Sequence, residues 1–195
     1  MLKLITMKNI FSASLFFACI GIFAGCGSSR KMSNQYVPFT RELKERLEKE
    51  NIDIKQVQFY VDQKLIMSRY LDNGKAEVKS GVVKLENGRY INEVVIEPFT
   101  PGVCEDIANG NLMVNFEKGS SDLGFGLGSN YSADQFVLYG YDWKNGTAIV
   151  NFDNQKFRVR CGTCADVANA RLMIKKSVVD KFEKKTRVLE GRKVE

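Results

Sequence analysis

The sequence contains no histidine among its 195 residues. Histidine is the side chain whose ordinary pKa lies closest to neutral pH, and it is the most frequent metal ligand in proteins. Its absence excludes Ser-His and Cys-His catalytic dyads, and no histidine can complete a zinc site. An enzyme would therefore have to use paired carboxylates, lysines or thiols. We expect a protein without a cofactor or a metal, and a non-catalytic one.

Proline is also scarce, with three residues, whereas apolar residues make up 44% of the chain. This composition is typical of a folded protein with a real core and not of a disordered one. The N-terminal apolar run, Ile10 to Ile22, is shorter than the roughly 20 residues that a membrane-spanning helix needs. The run therefore predicts an export signal and not a retained anchor.

The N-terminal segment has the parts of a signal peptide. Lys3 and Lys8 precede the apolar run, and small residues, Ala24 and Gly25, precede Cys26. The segment resembles the signals of bacterial lipoproteins, in which the cysteine is acylated and becomes the first mature residue. The resemblance implies a signal peptide over 1–25 and lipidation of Cys26. An ordinary secretory signal, with Cys26 as a stray thiol, is the alternative.

The usual lipoprotein signal has leucine three residues before the cysteine, where this chain has Phe23. By resemblance to Gram-negative lipoproteins, Gly27 after the cysteine favours the outer membrane, on its periplasmic or surface face.

Residues 26–37 are small and polar, which predicts a flexible tether. An ectodomain over 38–195 follows. Its first segment, Pro38 to Glu50, predicts a short helix that Thr40 caps.

From Lys55 onward, apolar residues alternate with polar ones, which is the period of a β-strand. Asn-Gly pairs, clearest at 87–88 and 145–146, predict two-residue hairpin turns. The sequence therefore predicts an all-β, antiparallel barrel or sandwich with one short N-terminal helix. The strand-like segments are 55–61, 64–67, 82–85, 90–96, 112–116, 135–139, 147–152, 156–160 and 171–174.

The ectodomain contains an internal repeat. Cys104 to Val114 aligns with Cys164 to Ile174 at a constant spacing. Because repeated supersecondary units bury each other's apolar faces, we expect two related halves, over about 55–117 and 123–195.

Three cysteines remain in the ectodomain, Cys104, Cys161 and Cys164. Disulfides persist outside the cytoplasm, and an odd number leaves at least one thiol without an intramolecular partner. The sequence allows three arrangements of these cysteines. They are a disulfide between Cys161 and Cys164, a disulfide between Cys104 and Cys164, and buried thiols with no disulfide. The Cys-Gly-Thr-Cys spacing also matches a redox motif, but a strand follows too soon for the supporting helix.

Other motifs predict structural roles. The run Gly124 to Gly128 lacks the residues of a phosphate loop and predicts a bulged strand or a loop rim. Asp106 and Asp166 recur in the repeat, where capping of backbone N–H groups is a better explanation than catalysis. Tyr131, Tyr139, Tyr141 and Trp143 are either sheet-face and core residues or an aromatic platform for a sugar or peptide.

The ectodomain also resembles a group of Gram-negative envelope lipoproteins, to which no activity is attached. The residues that carry this resemblance are 58–60, 65–69, 100–102, 115–117, 125–126 and 191–194. It implies a membrane-anchored envelope lipoprotein that acts as a non-catalytic binding or scaffolding module. The alternatives are a cell-wall or glycan-acting enzyme that uses carboxylates, and a thiol-redox protein that uses Cys161 and Cys164. Expected partners are the membrane, through the lipid anchor, and an envelope protein or a glycan, but no nucleic acid.

Overall fold

The structure, a computed structural model, describes residues 34–71, 78, 80–119, 121–129 and 133–183. The predicted signal peptide, Cys26, most of the tether and Tyr131 lie outside the described residues. Two antiparallel sheets dominate the rest, which confirms the predicted all-β class. In the described part of the chain, no helix is both long and apolar enough to cross a bilayer.

One sheet has seven strands and the other has six. The spatial order of the first is β1 (Tyr36–Pro38), β13 (Leu172–Lys175), β2 (Gln58–Val61), β6 (Pro101–Ala108), β7 (Asn111–Asn115), β8 (Leu123–Leu127) and β9 (Phe136–Leu138). The order of the second is β10 (Tyr141–Lys144), β11 (Thr147–Phe152), β12 (Gln155–Cys161), β3 (Leu65–Tyr70), β5 (Arg89–Ile96) and β4 (Val82–Glu86).

The core lies between the two sheets. Alternation along β12 sends Phe157 and Val159 inward, where both are buried. An aromatic cluster joins the N-terminal segment to the seven-stranded sheet, because the ring of Phe39 lies 5.0 Å from that of Phe59 and 5.3 Å from that of Phe136. These rings bury large apolar areas, which stabilises the sandwich.

The architecture is a sandwich and not the alternative barrel. At the β9 end of the seven-stranded sheet, two isolated bridges form, Thr40 with Gln135 just before β9 and Val137 of β9 with Arg171. Within the described residues these bridges do not extend into a ladder, so the sheet stays open.

Two helices flank the strands. Helix α1, Arg41–Lys49, is shorter than the predicted segment Pro38 to Glu50, because Pro38 lies in β1. The predicted cap is confirmed: the Thr40 hydroxyl accepts a hydrogen bond from the Leu43 N–H at 3.2 Å. Its inward face buries Leu47. Helix α2, Lys176–Glu183, follows β13 directly and was not predicted from the sequence.

The structure corrects the end of the predicted tether. Tyr36 and Val37 belong to β1 and pair with Lys175 and Ile174 of β13, so the tether boundary at residue 37 is too late. Three residues are too few to show a period, which explains why β1 has no sequence signal.

Both predicted halves contribute strands to both sheets. In each aligned segment the cysteine Sγ lies 3.3 Å from the carbonyl oxygen of the aspartate two residues later, Asp106 or Asp166. The segments then diverge: the first forms the β6–β7 hairpin, and the second forms a one-turn 3-10 helix, Val167–Asn169, before β13. Descent of the halves from one unit stays a prediction.

Candidate functional site

A surface cavity of about 540 Å³ lies where β8, β9 and β10 meet the 3-10 turn, and we call it the aromatic cleft. It is lined by Gly126, Leu127, Gly128, Ser129, Val137, Leu138, Tyr139, Gly140, Trp143, Asp166, Ala168 and Asn169.

The glycine-rich strand forms the floor beneath Tyr139. The Gly124–Gly128 run was predicted as a bulged strand or a loop rim, and most of it is the regular strand β8 with Phe125 in the core. The Tyr139 N–H donates to the Gly124 carbonyl at 2.8 Å. A Cβ on Gly124 would touch the Tyr139 side chain at 3.5 Å, and one on Gly126 would overlap Asn111. Tyr139 therefore packs against β8 at ordinary contact distance, and the position that needs glycine is Gly126, where the Asn111 side chain approaches the backbone.

Trp143 is turned toward the cleft by an irregularity in β10. The register shifts between Tyr141 and Lys144, and Asp142 has a positive φ of 50°. The indole Nε1–H donates to the Gly140 carbonyl at 2.9 Å, which holds the ring in one orientation. A β-bulge of this kind re-aims a side chain and is frequent next to functional sites.

The aromatic residues are surface residues and not core residues. Tyr139 is 57% exposed, Trp143 is 45% exposed and Tyr141 is 39% exposed. Large aromatic side chains that keep half of their area in water are suited to contact a ligand. Of the four aromatic residues singled out from the sequence, the structure brings Tyr139 and Trp143 into one cleft and places Tyr141 beside it.

The opposite wall is the 3-10 turn that starts at Asp166. The Asp166 carboxylate accepts the Ala168 N–H at 2.9 Å, so the capping role predicted for this aspartate is confirmed. The Val167 N–H donates to the Gly146 carbonyl at 3.0 Å, which ties the turn to the β10–β11 hairpin. Asp106 lies in β6 and does not line the cleft, so the two aspartates of the repeat form no pair there.

The three cysteines of the described residues do not line the cleft. A disulfide joins Cys161 to Cys164, with Cα atoms 5.3 Å apart, and Cys104 is free and buried. The alternative bridge between Cys104 and Cys164 is therefore not formed. Burial raises the pKa of the Cys104 thiol, which makes it a poor nucleophile.

The disulfide has part of a redox environment. The Cys164 N–H points at the Cys161 sulfur, 2.8 Å away, where it can stabilise a thiolate. However, the element that follows is the single 3-10 turn from Val167 to Asn169, and reactive Cys-X-X-Cys motifs lie at the N-terminus of a helix.

Some cleft residues had no signal in the sequence. Ser129 and Asn169 line the cleft only because β8, β9 and the 3-10 turn meet in the fold.

No family model, no curated protein and no solved structure matches the chain.

Proposed function

We propose that this protein is a lipoprotein of the bacterial envelope that is anchored through acylated Cys26 and binds a glycan in the aromatic cleft. The observation that carries the proposal is the pair of half-exposed rings, Tyr139 and Trp143, on a cavity of about 540 Å³. A sugar ring offers apolar C–H faces to aromatic rings and hydroxyl groups to polar neighbours. The cleft supplies such neighbours in Ser129, Asn169 and its backbone groups.

The lining of the cleft favours binding over catalysis. Asp166 is the one carboxylate among the described residues that line it, and one of its two oxygens, Oδ1, accepts the Ala168 N–H. Glycoside hydrolysis ordinarily uses two carboxylates on opposite sides of the scissile bond.

The anchor is proposed from the sequence around Cys26. Each buried acyl methylene contributes about 0.8 kcal/mol of membrane affinity, and two or more chains give stable attachment. Intact-mass measurement on protein from the producing cell is expected to show acyl chains on Cys26. In the Cys26→Ser variant, we expect the protein to leave the membrane fraction. Unmodified protein that still carries residues 1–25 among the soluble internal proteins would contradict the anchor.

Glycan binding can be followed through Trp143, because it is the single tryptophan of the chain. We would titrate the acylated protein in non-ionic detergent micelles with two β-1,4-linked hexasaccharides. One is chitohexaose, and the other alternates N-acetylglucosamine with N-acetylmuramic acid. A saturable blue shift of the Trp143 emission is expected.

Two tyrosine variants provide the specificity control. Tyr139→Ala is expected to weaken binding at least tenfold, whereas Tyr90→Ala, at a 51% exposed tyrosine on β5, is expected to bind normally. The proposal fails if neither hexasaccharide changes the emission, or if both variants lose the same affinity.

A further inference from the structure

Three cations project in a row from the outer face of the six-stranded sheet. Lys156, Arg158 and Arg160 alternate along β12 with buried core residues, and all three are exposed. Residues two apart on a strand are separated by about 6.6–6.8 Å, so the row spreads positive charge over about 13 Å.

The row forms one wall of a groove of about 480 Å³, which we call the basic groove. Its floor includes Ser68 of β3, which pairs with Arg158 on one side and Glu93 on the other. The small serine side chain leaves a recess between these two neighbours. Glu93 also lines the groove, and its carboxylate forms an ion pair with Lys84 of the neighbouring strand β4.

Four cations, Arg69, Lys156, Arg158 and Arg160, line the groove with two carboxylates, Glu86 and Glu93, so the groove carries a net positive charge. Arg158 lies 3.2 Å from the Asp142 carboxylate and 3.1 Å from the Thr147 hydroxyl, so its orientation is held. Lys156 and Arg160 have no ion-pair partner within the ranges that the structure describes. Cations of this kind attract carboxylate or phosphate groups.

A third recess, of about 210 Å³, lies between the aromatic cleft and the basic groove. It shares Tyr139 and Gly140 with the cleft and Ile149 with the groove. Tyr141 also lines it, and the Tyr141 hydroxyl donates to Asn151 at 3.2 Å. The surface therefore passes from aromatic rings, through a polar recess, to a row of cations.

We infer that this continuous surface binds one extended acidic glycan, with sugar rings on Tyr139 and Trp143 and carboxylate or phosphate groups on Lys156, Arg158 and Arg160. The inference rests on the proposed glycan binding and adds the charge class of the ligand. A small anion would occupy one cation and leave the row unused. A bilayer surface cannot enter a recess whose floor is Ser68, whereas a polymer chain can.

The two hexasaccharides test the inference because they share a backbone and differ in the carboxylates of N-acetylmuramic acid. We expect the acidic hexasaccharide to bind roughly tenfold more tightly at low salt and to lose this advantage at high salt, where exposed charges are screened. The double variant Lys156→Gln/Arg160→Gln is expected to bind both oligomers with the affinity of the neutral one.

A control variant, Lys49→Gln/Lys118→Gln, removes the same charge from exposed positions outside the groove and is expected to keep the preference. Equal binding of the two hexasaccharides to the unmodified sequence would overturn the inference and leave the proposed function standing. A preference that survives in the Lys156/Arg160 double variant would also overturn it. If neither oligomer binds, the proposed function falls and the inference falls with it.

Discussion

Two glycines in equivalent turns provide a matched test of how the hairpin beside the cleft is held. Gly88 and Gly146 both follow asparagine in a two-residue turn, with φ of 76° and 70°. A Cβ added to Gly88 meets nothing within 4 Å. A Cβ added to Gly146 would overlap the Ala165 carbonyl oxygen and lie 3.3 Å from the Asp166 Cα.

The two substitutions by alanine are therefore expected to differ in cost. The left-handed conformation costs an L-residue roughly 1–2 kcal/mol, and the lower entropy of the unfolded chain returns about 0.4–1 kcal/mol. Gly88→Ala should thus lower the free energy of unfolding by about 1 kcal/mol. Gly146→Ala bears the same cost and must also displace the backbone at Ala165, which adds about 1–3 kcal/mol, as overpacking does.

Urea denaturation followed by far-ultraviolet circular dichroism measures both costs. We expect Gly146→Ala to lose about 2–4 kcal/mol, and its Trp143 emission to change in the native state because the 3-10 turn that lines the cleft moves. Gly88→Ala should leave that emission unchanged. If the two variants lose the same free energy of unfolding within about 0.5 kcal/mol, the reasoning is refuted. That result would show that the backbone at Ala165 moves aside with no loss of stability.

Three further perturbations test the interior of the fold. Reduction of the Cys161–Cys164 disulfide, with a sequence separation of 3, should lower the free energy of unfolding by about 2 kcal/mol; an unchanged urea midpoint under reductant would contradict this. Because burial raises the pKa of the Cys104 thiol, a thiol reagent at pH 8 should modify Cys104 only after the protein unfolds. Fast labelling of Cys104 in the native protein would contradict this prediction. The Asp62 carboxylate is 6% exposed and accepts both the backbone N–H and the Nε–H of Arg171 at 2.7 Å, so Asp62→Ala should cost about 2–3 kcal/mol. The exposed Glu97→Ala should cost less than about 1 kcal/mol in the same urea assay, and a reversed order would be inconsistent with this assignment.

Most of the strands could be predicted from the sequence. A half-buried strand needs apolar residues that alternate with polar ones, and a hairpin turn needs residues that tolerate positive φ. The predicted turns at Asn87–Gly88 and Asn145–Gly146 join β4 to β5 and β10 to β11. Strand β6 was missed, because its polar residues Glu105 and Asp106 interrupt the alternation where the register shifts. Such strands are defined by their partners and not by their own composition.

The candidate site was less accessible from sequence, because it depends on contacts between distant segments. The aromatic residues were visible in the sequence, but it could not show that the Tyr139 N–H would bond to the Gly124 carbonyl of β8 and place the ring in the cleft. The alternation in 156–160 shows that three cations share a face of β12. Their importance depends on Ser68, which lies far away in the sequence and becomes a neighbour only through the β3–β12 pairing.

The divergence of the internal repeat explains how the cleft acquires its second wall. In the first segment, Asn109 and Gly110 take φ of 53° and 81°, which closes the β6–β7 hairpin. In the second segment, alanine replaces that glycine, and Ala170 has φ of −74°. Because alanine resists positive φ, the chain forms a 3-10 turn instead of a hairpin, and the Ala170 carbonyl accepts the Leu138 N–H at 2.9 Å. This contact brings Asp166 and Asn169 against β9 and opposite Trp143. The glycine-to-alanine difference is therefore one of the changes, with Glu105 to Ala165 and Asn111 to Arg171, that accompany a hairpin in the first segment and the cleft wall in the second.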